Sequence, residues 1–199
     1  MKRLVLATNN KHKIVEIKAL LSDLSLELLT LADVSVPDPL REDGTTFRDN
    51  ALQKARAVHG ATKLPSLADD SGLEVFYLNG RPGVYSSRYT GPGATYESNN
   101  ERLLAEMRGV PPRRRRAQFR AIVVFVDRGV EEVTEGICRG KIAEQPRGTN
   151  GFGYDPVFLP EGFTRTYAEL TFEEKNGISH RARALAGMKE ILIRRMNLG

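Results

Sequence analysis

Apolar residues recur along the chain with two different periods, and this predicts a fold that mixes strands and helices. Helical spacing marks one helix that begins after residue 10, one over about Phe47–His59 that leaves Lys54 on a flank, one near Tyr96–Arg108, and one from about Ser179 onward. Continuous or alternating apolar runs predict strands at Lys2–Ala7, Ser66–Ala68, Leu73–Tyr77, Ala117–Asp127 and Val130–Cys138.

Short polar segments join these elements. Thr8-Asn9-Asn10 separates the first strand from the first helix, Asp69 to Gly72 reads as a strand-ending turn, and Arg128-Gly129 predicts a hairpin. Because hairpin links and crossover links both occur, we expect an α/β fold: a mixed central β-sheet flanked by helices, with a cleft at the strand ends.

The composition of the chain indicates the size of its core and the cellular compartment in which it works. A chain of 199 residues with 40% hydrophobic residues can enclose a sizeable core. Its one cysteine, Cys138, excludes an internal disulfide and suits a small buried thiol better than a catalytic one. The N-terminal apolar run Leu4–Ala7 is too short for a signal peptide or a membrane span. We therefore expect a cytoplasmic protein with no membrane partner.

A formal charge of +5, with 25 acidic residues present, favours an anionic partner without marking a dedicated nucleic-acid binder. A small phosphate-rich substrate would be such an anionic partner. The densest basic run, Arg113–Arg116, reads as a solvated loop, or as part of a surface for single-stranded nucleic acid.

The turn after the first strand is a candidate phosphate site. It aims free backbone N–H groups and the positive end of a helix dipole beyond the strand, and Lys11 and Lys13 add positive charge. His12 and His59 have no second metal ligand at useful spacing, and each reads as a surface or packing residue.

The segment Gly148–Pro156, here called the glycine-aromatic loop, has the composition of a ligand loop. Its glycines permit positive φ and close approach, Phe152 and Tyr154 offer flat faces that suit a purine, and Asp155 offers an acceptor. The alternative is a glycine-rich turn with two core aromatics.

Two further groups carry candidate chemistry. Asp69 and Asp70, with Glu42, favour a hard divalent metal such as Mg²⁺, although an aspartate-rich turn that caps its own backbone is the alternative. Around Ser179, three donors converge that could meet a purine carbonyl or a phosphate; otherwise Ser179 merely caps a helix and its neighbours face water. These donors are Lys175, His180 and Arg181.

Familiar nucleotide and hydrolase motifs are missing from the sequence. It has no P-loop, no Gly-x-Gly-x-x-Gly, no zinc-binding pattern and no Gly-x-Ser-x-Gly elbow. Of the kinds of chemistry considered, that of a metal ion bound by oxygen ligands remains possible.

Five segments in order nevertheless resemble the inosine triphosphate pyrophosphatase family, over essentially the whole chain. They are Ala7–Lys13, Glu42–Phe47, Ala68–Leu73, Gly151–Pro156 and Ser179–Arg181. The resemblance implies a single domain over residues 1–199, made of two lobes with a substrate cleft between them. It also implies a Mg²⁺-dependent homodimer that hydrolyses ITP, dITP and XTP to the monophosphate and pyrophosphate, cleansing the nucleotide pool without binding nucleic acid.

The resemblance also implies roles for individual residues. Asp70 would accept a proton, and Glu42 and Asp70 would hold the metal. The triphosphate would be held by Thr8, Asn9, Asn10, Lys11, His12 and Lys13, with Lys54 reaching the phosphates. The nucleotide would be held by Ser71, Phe152, Gly153, Tyr154, Asp155, Lys175, His180 and Arg181. The nearest alternative is a pyrophosphatase for another modified nucleotide.

Overall fold

A computed structural model describes residues 1–36 and 40–198. It has six strands: β1 (Lys2–Leu6), β2 (Leu26–Leu29), β3 (Ser66–Val75), β4 (Arg116–Asp127), β5 (Val130–Ile142) and β6 (Phe158–Pro160). It has five α-helices: α1 (Lys11–Leu20), α2 (Phe47–Thr62), α3 (Tyr96–Glu106), α4 (Phe172–Ile178) and α5 (His180–Met196). Short 3₁₀ turns lie among them.

The strands form one mixed sheet in the order β2-β1-β3-β4-β5-β6. Strand β1 runs parallel to both β2 and β3, whereas β5 and β6 are antiparallel. The link from β4 to β5 is the two-residue turn Arg128-Gly129, in which both residues have positive φ, as tight hairpins require. The predicted α/β class, mixed sheet and hairpin are therefore confirmed.

Three helices begin at a threonine whose hydroxyl closes the first turn. Thr46, Thr95 and Thr171 each accept the backbone N–H of the residue three positions later, at 3.1 Å. Such caps satisfy a donor that the helix itself leaves unpaired. Local sequence thus fixes where α2, α3 and α4 start.

The chain divides into two compact units. Unit 1 comprises Met1–Asp70, Ala121–Gly136 and Arg181–Gly199. Its core joins β1, β3 and β4 to the apolar faces of α1 and α5; the buried side chains include Leu4, Leu6, Ile17, Leu67, Val123, Phe125, Leu185, Met188 and Leu192. The regularly spaced apolar residues of the last helix therefore pack into the core, as the sequence predicts.

Unit 2 comprises Ser71–Arg120 and Ile137–His180. Its core is richer in aromatics: Phe119 lies edge-on to Phe158 at 4.8 Å between centroids and stacks on Tyr167 at 5.7 Å. Cys138 is buried here, as the sequence led us to expect.

The structure corrects several local predictions. Asp69 and Asp70 do not lie on a turn, because β3 continues through them to Val75 as one ten-residue strand. Lys54, which was expected on a flank of its helix, is buried, with 4% of its surface exposed. Strands β2 and β6 and helix α4 were not predicted, because each is too short to show a clear period.

The basic run is not simply a solvated loop. Arg115 is 5% exposed, and its guanidinium donates to the carbonyl oxygens of Met107, Ile142 and Ala143 at 2.6 to 2.8 Å. Arg116 already belongs to β4. In the part of the chain that the structure describes, no helix is both long and apolar enough to cross a bilayer.

Candidate active site

The turn between β1 and α1 is organised by its own polar side chains. Asn10 caps α1: its Oδ1 accepts the backbone N–H groups of His12 and Lys13 at 3.0 and 3.2 Å. Thr8 Oγ1 accepts the N–H of Asn10 at 3.2 Å. These three N–H groups are therefore already bonded to side-chain oxygens of the turn. Lys11 and His12 are exposed, and Lys13 points back toward β3.

Asp69 is the centre of a buried ion-pair network in unit 1. Its Oδ1 lies 2.6 Å from Lys13 Nζ, and its Oδ2 lies 3.1 Å from the guanidinium of Arg181. The same guanidinium binds Glu16 through Nη1 in a very short contact. Two carboxylates thus balance two cations where almost no water reaches, since Glu16 is 3% exposed and Arg181 is 1% exposed.

A second group of side chains surrounds Lys54. Its Nζ lies 2.6 Å from Glu42 Oε1, 3.3 Å from Asp70 Oδ1 and 2.8 Å from the carbonyl oxygen of Asp69. Asn50 donates to Asp70 Oδ2 at 3.2 Å. Strand β3, helix α2 and the segment before α2 therefore bring the predicted metal-binding carboxylates around one ammonium group.

Glu42 is carried by a segment that packs tightly on α2. Asn50 Oδ1 accepts the N–H of Gly44 at 2.8 Å. A Cβ at Gly44 would lie 2.6 Å from Asp49 Cβ and 2.8 Å from Asn50 Oδ1, so only glycine fits there without a shift. Asn50 therefore holds both this segment and Asp70, a role that the sequence did not reveal.

The pKa values of the two neighbouring aspartates are shifted in opposite directions. Burial favours the neutral form of Asp69, but Arg181 and Lys13 outweigh it and hold the pKa of Asp69 well below its usual value. For Asp70, burial dominates over the attraction of Lys54 and Lys13 and raises the pKa. Burial also opposes the charge of Lys54, yet Asp70 and Glu42 prevail and raise the pKa of that ammonium group. Asp69 is thus a fixed anion, while Asp70 is the better proton acceptor.

This arrangement fits a hard metal ion. Glu42 and Asp70 present oxygens to the position of one cation, and Mg²⁺ needs only one or two protein carboxylates. Among residues 1–36 and 40–198, no cluster of three or more histidine, cysteine or acidic side chains offers a richer metal site. The donor set therefore suits Mg²⁺ rather than zinc.

The glycine-aromatic loop lies in unit 2. Gly148, Gly151 and Gly153 all have positive φ, between 62° and 78°. At Gly151 the need for glycine comes from a contact within the loop, because a Cβ there would lie 2.0 Å from Asp155 Oδ2. At Gly153 no atom would contact an added Cβ within 4 Å, so the backbone angle rather than the space calls for glycine.

Asp155 binds within its own unit. Its Oδ2 lies 2.5 Å from Lys175 Nζ and accepts the N–H of Phe152 at 2.9 Å. The Lys175 ammonium lies 4.7 Å from the ring centroid of Phe152 and 5.5 Å from that of Tyr167. The acid, the lysine and an incompletely buried aromatic ring form one preorganised group.

Two hydrogen bonds tie the loop to the rest of unit 2, and two further predicted residues, His180 and Ser71, belong to the same unit. Asn100 donates to the carbonyl of Gly153 at 2.8 Å, and the hydroxyl of Tyr154 donates to the carbonyl of Ser86 at 3.0 Å. His180 is 4% exposed and stacks on Phe119 at 4.7 Å with an interplanar angle of 11°. Ser71 lies in β3, the residue after Asp70.

The structure therefore brings two sets of predicted residues together: Lys13, Glu42, Lys54, Asp70 and Arg181 around Asp69 in unit 1, and Phe152, Asp155 and Lys175 in unit 2. Glu16, Asn50 and Asn100 were missed. A signal existed for Glu16, because it stands beside Ile17 on the inward face of α1, where a buried acid requires a cation. The asparagines are polar helical residues whose partners are distant in sequence, so no local pattern marks them.

Comparisons with known proteins agree over the length of the chain. Residues 4–191 match the Ham1 family. The dITP/XTP pyrophosphatase of Geobacter sulfurreducens is 49% identical over 193 residues, which cover 96% of this chain and 97% of that protein. The dITP/XTP pyrophosphatase of Thermoanaerobacter pseudethanolicus is 44% identical over 194 residues and 98% of both chains. A solved HAM1 protein from Coxiella burnetii is 41% identical, with a TM-score of 0.89 over 98% of this chain and all of that one.

Proposed function

Because this chain belongs to the Ham1 family, we propose that it hydrolyses deaminated purine nucleoside triphosphates, namely dITP, XTP and ITP, to the monophosphate and pyrophosphate. The family and the class of enzyme predicted from the sequence, a nucleoside triphosphate pyrophosphatase, are confirmed by these matches. The substrates are proposed from the names of the relatives and from the chemistry of the residues described above.

One observation carries the proposal: Glu42 and Asp70 meet at the ammonium group of Lys54, with Lys13 bound to the adjacent Asp69. Carboxylates for a metal, lysines for phosphate charge and a candidate base are thus present in one small volume of unit 1. Phosphoryl transfer needs these components, because its catalysis consists mainly of positioning and charge stabilisation.

We assign Glu42 and Asp70 as ligands of Mg²⁺, because their carboxylate oxygens converge on the position of one cation and Mg²⁺ needs only one or two protein carboxylates. When bound, the metal would supply charge neutralisation at the phosphates and a more acidic water. The residues themselves prepare the place: Asn50 orients Asp70, and the close packing at Gly44 fixes the segment that carries Glu42.

Asp70 is the proposed proton acceptor. A water molecule attacks the α-phosphorus, its proton passes to an Asp70 carboxylate oxygen, and the bond from the α-phosphorus to the bridging oxygen breaks to release pyrophosphate. An aspartate with an ordinary pKa of about 3.9 is a weak base at neutral pH. The burial that raises the pKa of Asp70 brings it closer to its task.

The triphosphate is assigned to the β1–α1 turn and to the two lysines near it. Lys13 and Lys54 neutralise the charge that develops on the leaving pyrophosphate, and the exposed cation of Lys11 adds to it. The other members of this proposed group are Thr8, Asn9, Asn10 and His12.

The base is assigned to unit 2. Phe152 provides a ring face and Lys175 a cation next to it, held in place by Asp155. Protein groups at the purine 6-position would donate to the carbonyl oxygen of hypoxanthine or xanthine and would find no acceptor in the amino group of adenine, a type of discrimination that can reach about 10⁴-fold. The remaining proposed nucleotide residues are Ser71, Gly153, Tyr154, His180 and Arg181. Arg181 contributes by fixing Asp69, to which its guanidinium is bonded.

We further propose that residues 1–199 act as one catalytic domain, that the active form is a homodimer, and that it works in the cytoplasm. The compartment is that of the free nucleotide pool, and a single buried thiol suits its reducing conditions. Mass measurement in solution tests the dimer directly.

The decisive experiment measures pyrophosphate release from ITP, dITP, XTP, GTP and ATP, with Mg²⁺ and with EDTA. Metal-dependent release from the first three and little from ATP is the expected result. Asp70→Asn should nearly abolish turnover with Mg²⁺ saturating. Release that persists in EDTA would overturn the metal assignment, and an Asp70→Asn variant that keeps most of its kcat would overturn the proton-acceptor role.

A further inference from the structure

A cavity of about 400 Å³ lies in unit 2 among residues to which the proposed reaction gives no role. Its wall carries three cations, Arg116, Arg139 and Lys141, together with the apolar side chains of Phe76, Leu159 and Phe163. This volume is within the usual range of small-molecule sites, roughly 300 to 1,000 Å³.

The cations reach the cavity because of strand geometry. Arg139 and Lys141 are two residues apart on β5 and therefore lie on one face of the sheet, while Cys138 and Ile142 are buried in the core behind them. Arg116, at the start of β4, is the last residue of the basic run. Of that run, only Arg115 is committed to backbone carbonyls.

The wall of this cavity carries more positive than negative charge. Glu161 is the acidic side chain in its wall, and no ion pair within the described residues joins it to any of the three cations. Three cations against one acid in the same wall favour an anionic ligand.

The cavity also presents an aromatic surface. Phe76 is 45% exposed, and the guanidinium of Arg116 lies 5.8 Å from its ring centroid. Gly162 has a φ of 84°, which only glycine adopts readily, and it turns the chain so that Phe163 also reaches the wall. A planar ring next to an arginine and an aromatic face is the surface on which nucleobases stack.

We propose that this cavity is a second binding site, for a nucleoside monophosphate, with the phosphate bound by Arg116, Arg139 and Lys141 and the base stacked on Phe76. The site is independent of the pyrophosphatase assignment, because it shares no residue with the proposed active site. A single-stranded nucleic acid is the competing occupant that the test must separate.

The test uses AMP, because its adenine lacks the 6-carbonyl group that the proposed active site requires. Calorimetric titration of the intact protein should give a Kd of about 1 mM or tighter. The double variant Arg139→Ala with Lys141→Ala should weaken AMP at least about tenfold. The matched control, Arg108→Ala with Lys18→Ala, removes two exposed cations that lie elsewhere and should leave the Kd unchanged.

Phe76→Ala separates the two parts of the ligand, because it should weaken AMP while leaving the binding of inorganic phosphate as it was. The proposal is overturned if AMP does not saturate the wild type, or if the Arg139 and Lys141 changes leave its Kd unaltered. Equal weakening of AMP and phosphate by Phe76→Ala would overturn the stacked base. An oligonucleotide that binds at these residues when AMP does not would assign the surface to nucleic acid instead.

Discussion

Replacing Glu16 with glutamine tests the buried network directly. Glutamine keeps the size of the side chain and can still accept one hydrogen bond, so the change removes little besides charge. In the wild type, Glu16 and Asp69 balance Arg181 and Lys13. Glu16→Gln leaves one positive charge in excess where Arg181 is 1% exposed.

Leaving such a charge without its partner costs about 3 to 5 kcal/mol. We expect a value near the lower end, about 3 kcal/mol, because the amide oxygen still meets the guanidinium. For a chain of this length, that corresponds to a fall in Tm of about 6 to 12 °C.

The matched control is Glu131→Gln. Glu131 also pairs with an arginine, Arg56, through two bonds of 2.6 and 2.7 Å, but both side chains are well exposed. This variant should lose at most about 1 kcal/mol. Added salt should abolish the effect of Glu131→Gln, since it screens exposed pairs, and should leave that of Glu16→Gln largely intact.

Denaturant unfolding of the wild type and both variants, at low and high salt, measures these differences. A loss from Glu16→Gln that is no larger than that from Glu131→Gln, or that disappears in salt, would refute the reasoning from burial.

Two further perturbations address stability at the proposed active site. Asp70→Asn should raise Tm at pH 7, because burial raises the pKa of Asp70 and the folded state therefore disfavours the ionised carboxylate. The gain in Tm should vanish below the unfolded pKa of about 3.9, where the wild-type side chain is also neutral. An equal Tm for the variant and the wild type at pH 7 would contradict this prediction. Gly153→Ala should cost about 1 kcal/mol of backbone strain, whereas Gly151→Ala should cost several, since its Cβ would also lie 2.0 Å from a carboxylate oxygen. Urea unfolding compares the two, and similar losses would count against the close approach.

Much of the fold was accessible from the sequence because its main elements have clear periods. Helix α5 repeats its apolar residues over four turns, and β4 carries a long apolar run, so both were predicted closely. Strand β3 was split in two, because Asp69 and Asp70 resemble a turn when only local polarity is considered. They lie within a strand because Lys13, Lys54 and Arg181 neutralise them there.

For the candidate site, sequence revealed the residues but not their partners. Lys54 was expected on a flank, and only the positions of Glu42 and Asp70 explain why it is buried. Likewise, Asp155 was read as an acceptor for a ligand, whereas in the structure it already holds Lys175. Partners that are 12 to 20 positions apart in the sequence cannot be predicted from a local pattern of residues.

The division of unit 1 into three stretches of chain bears on how the protein is made. Glu16 and Asp69 lie 165 and 112 positions before Arg181, the cation that both require. During synthesis, the first 70 residues leave the ribosome long before α5 exists, so their buried acids have no guanidinium to meet. A chain that ends prematurely before Arg181 would contain nearly every proposed catalytic residue, yet it would not form a stable unit 1. The buried network of unit 1 is therefore completed only after the start of α5 has been synthesised.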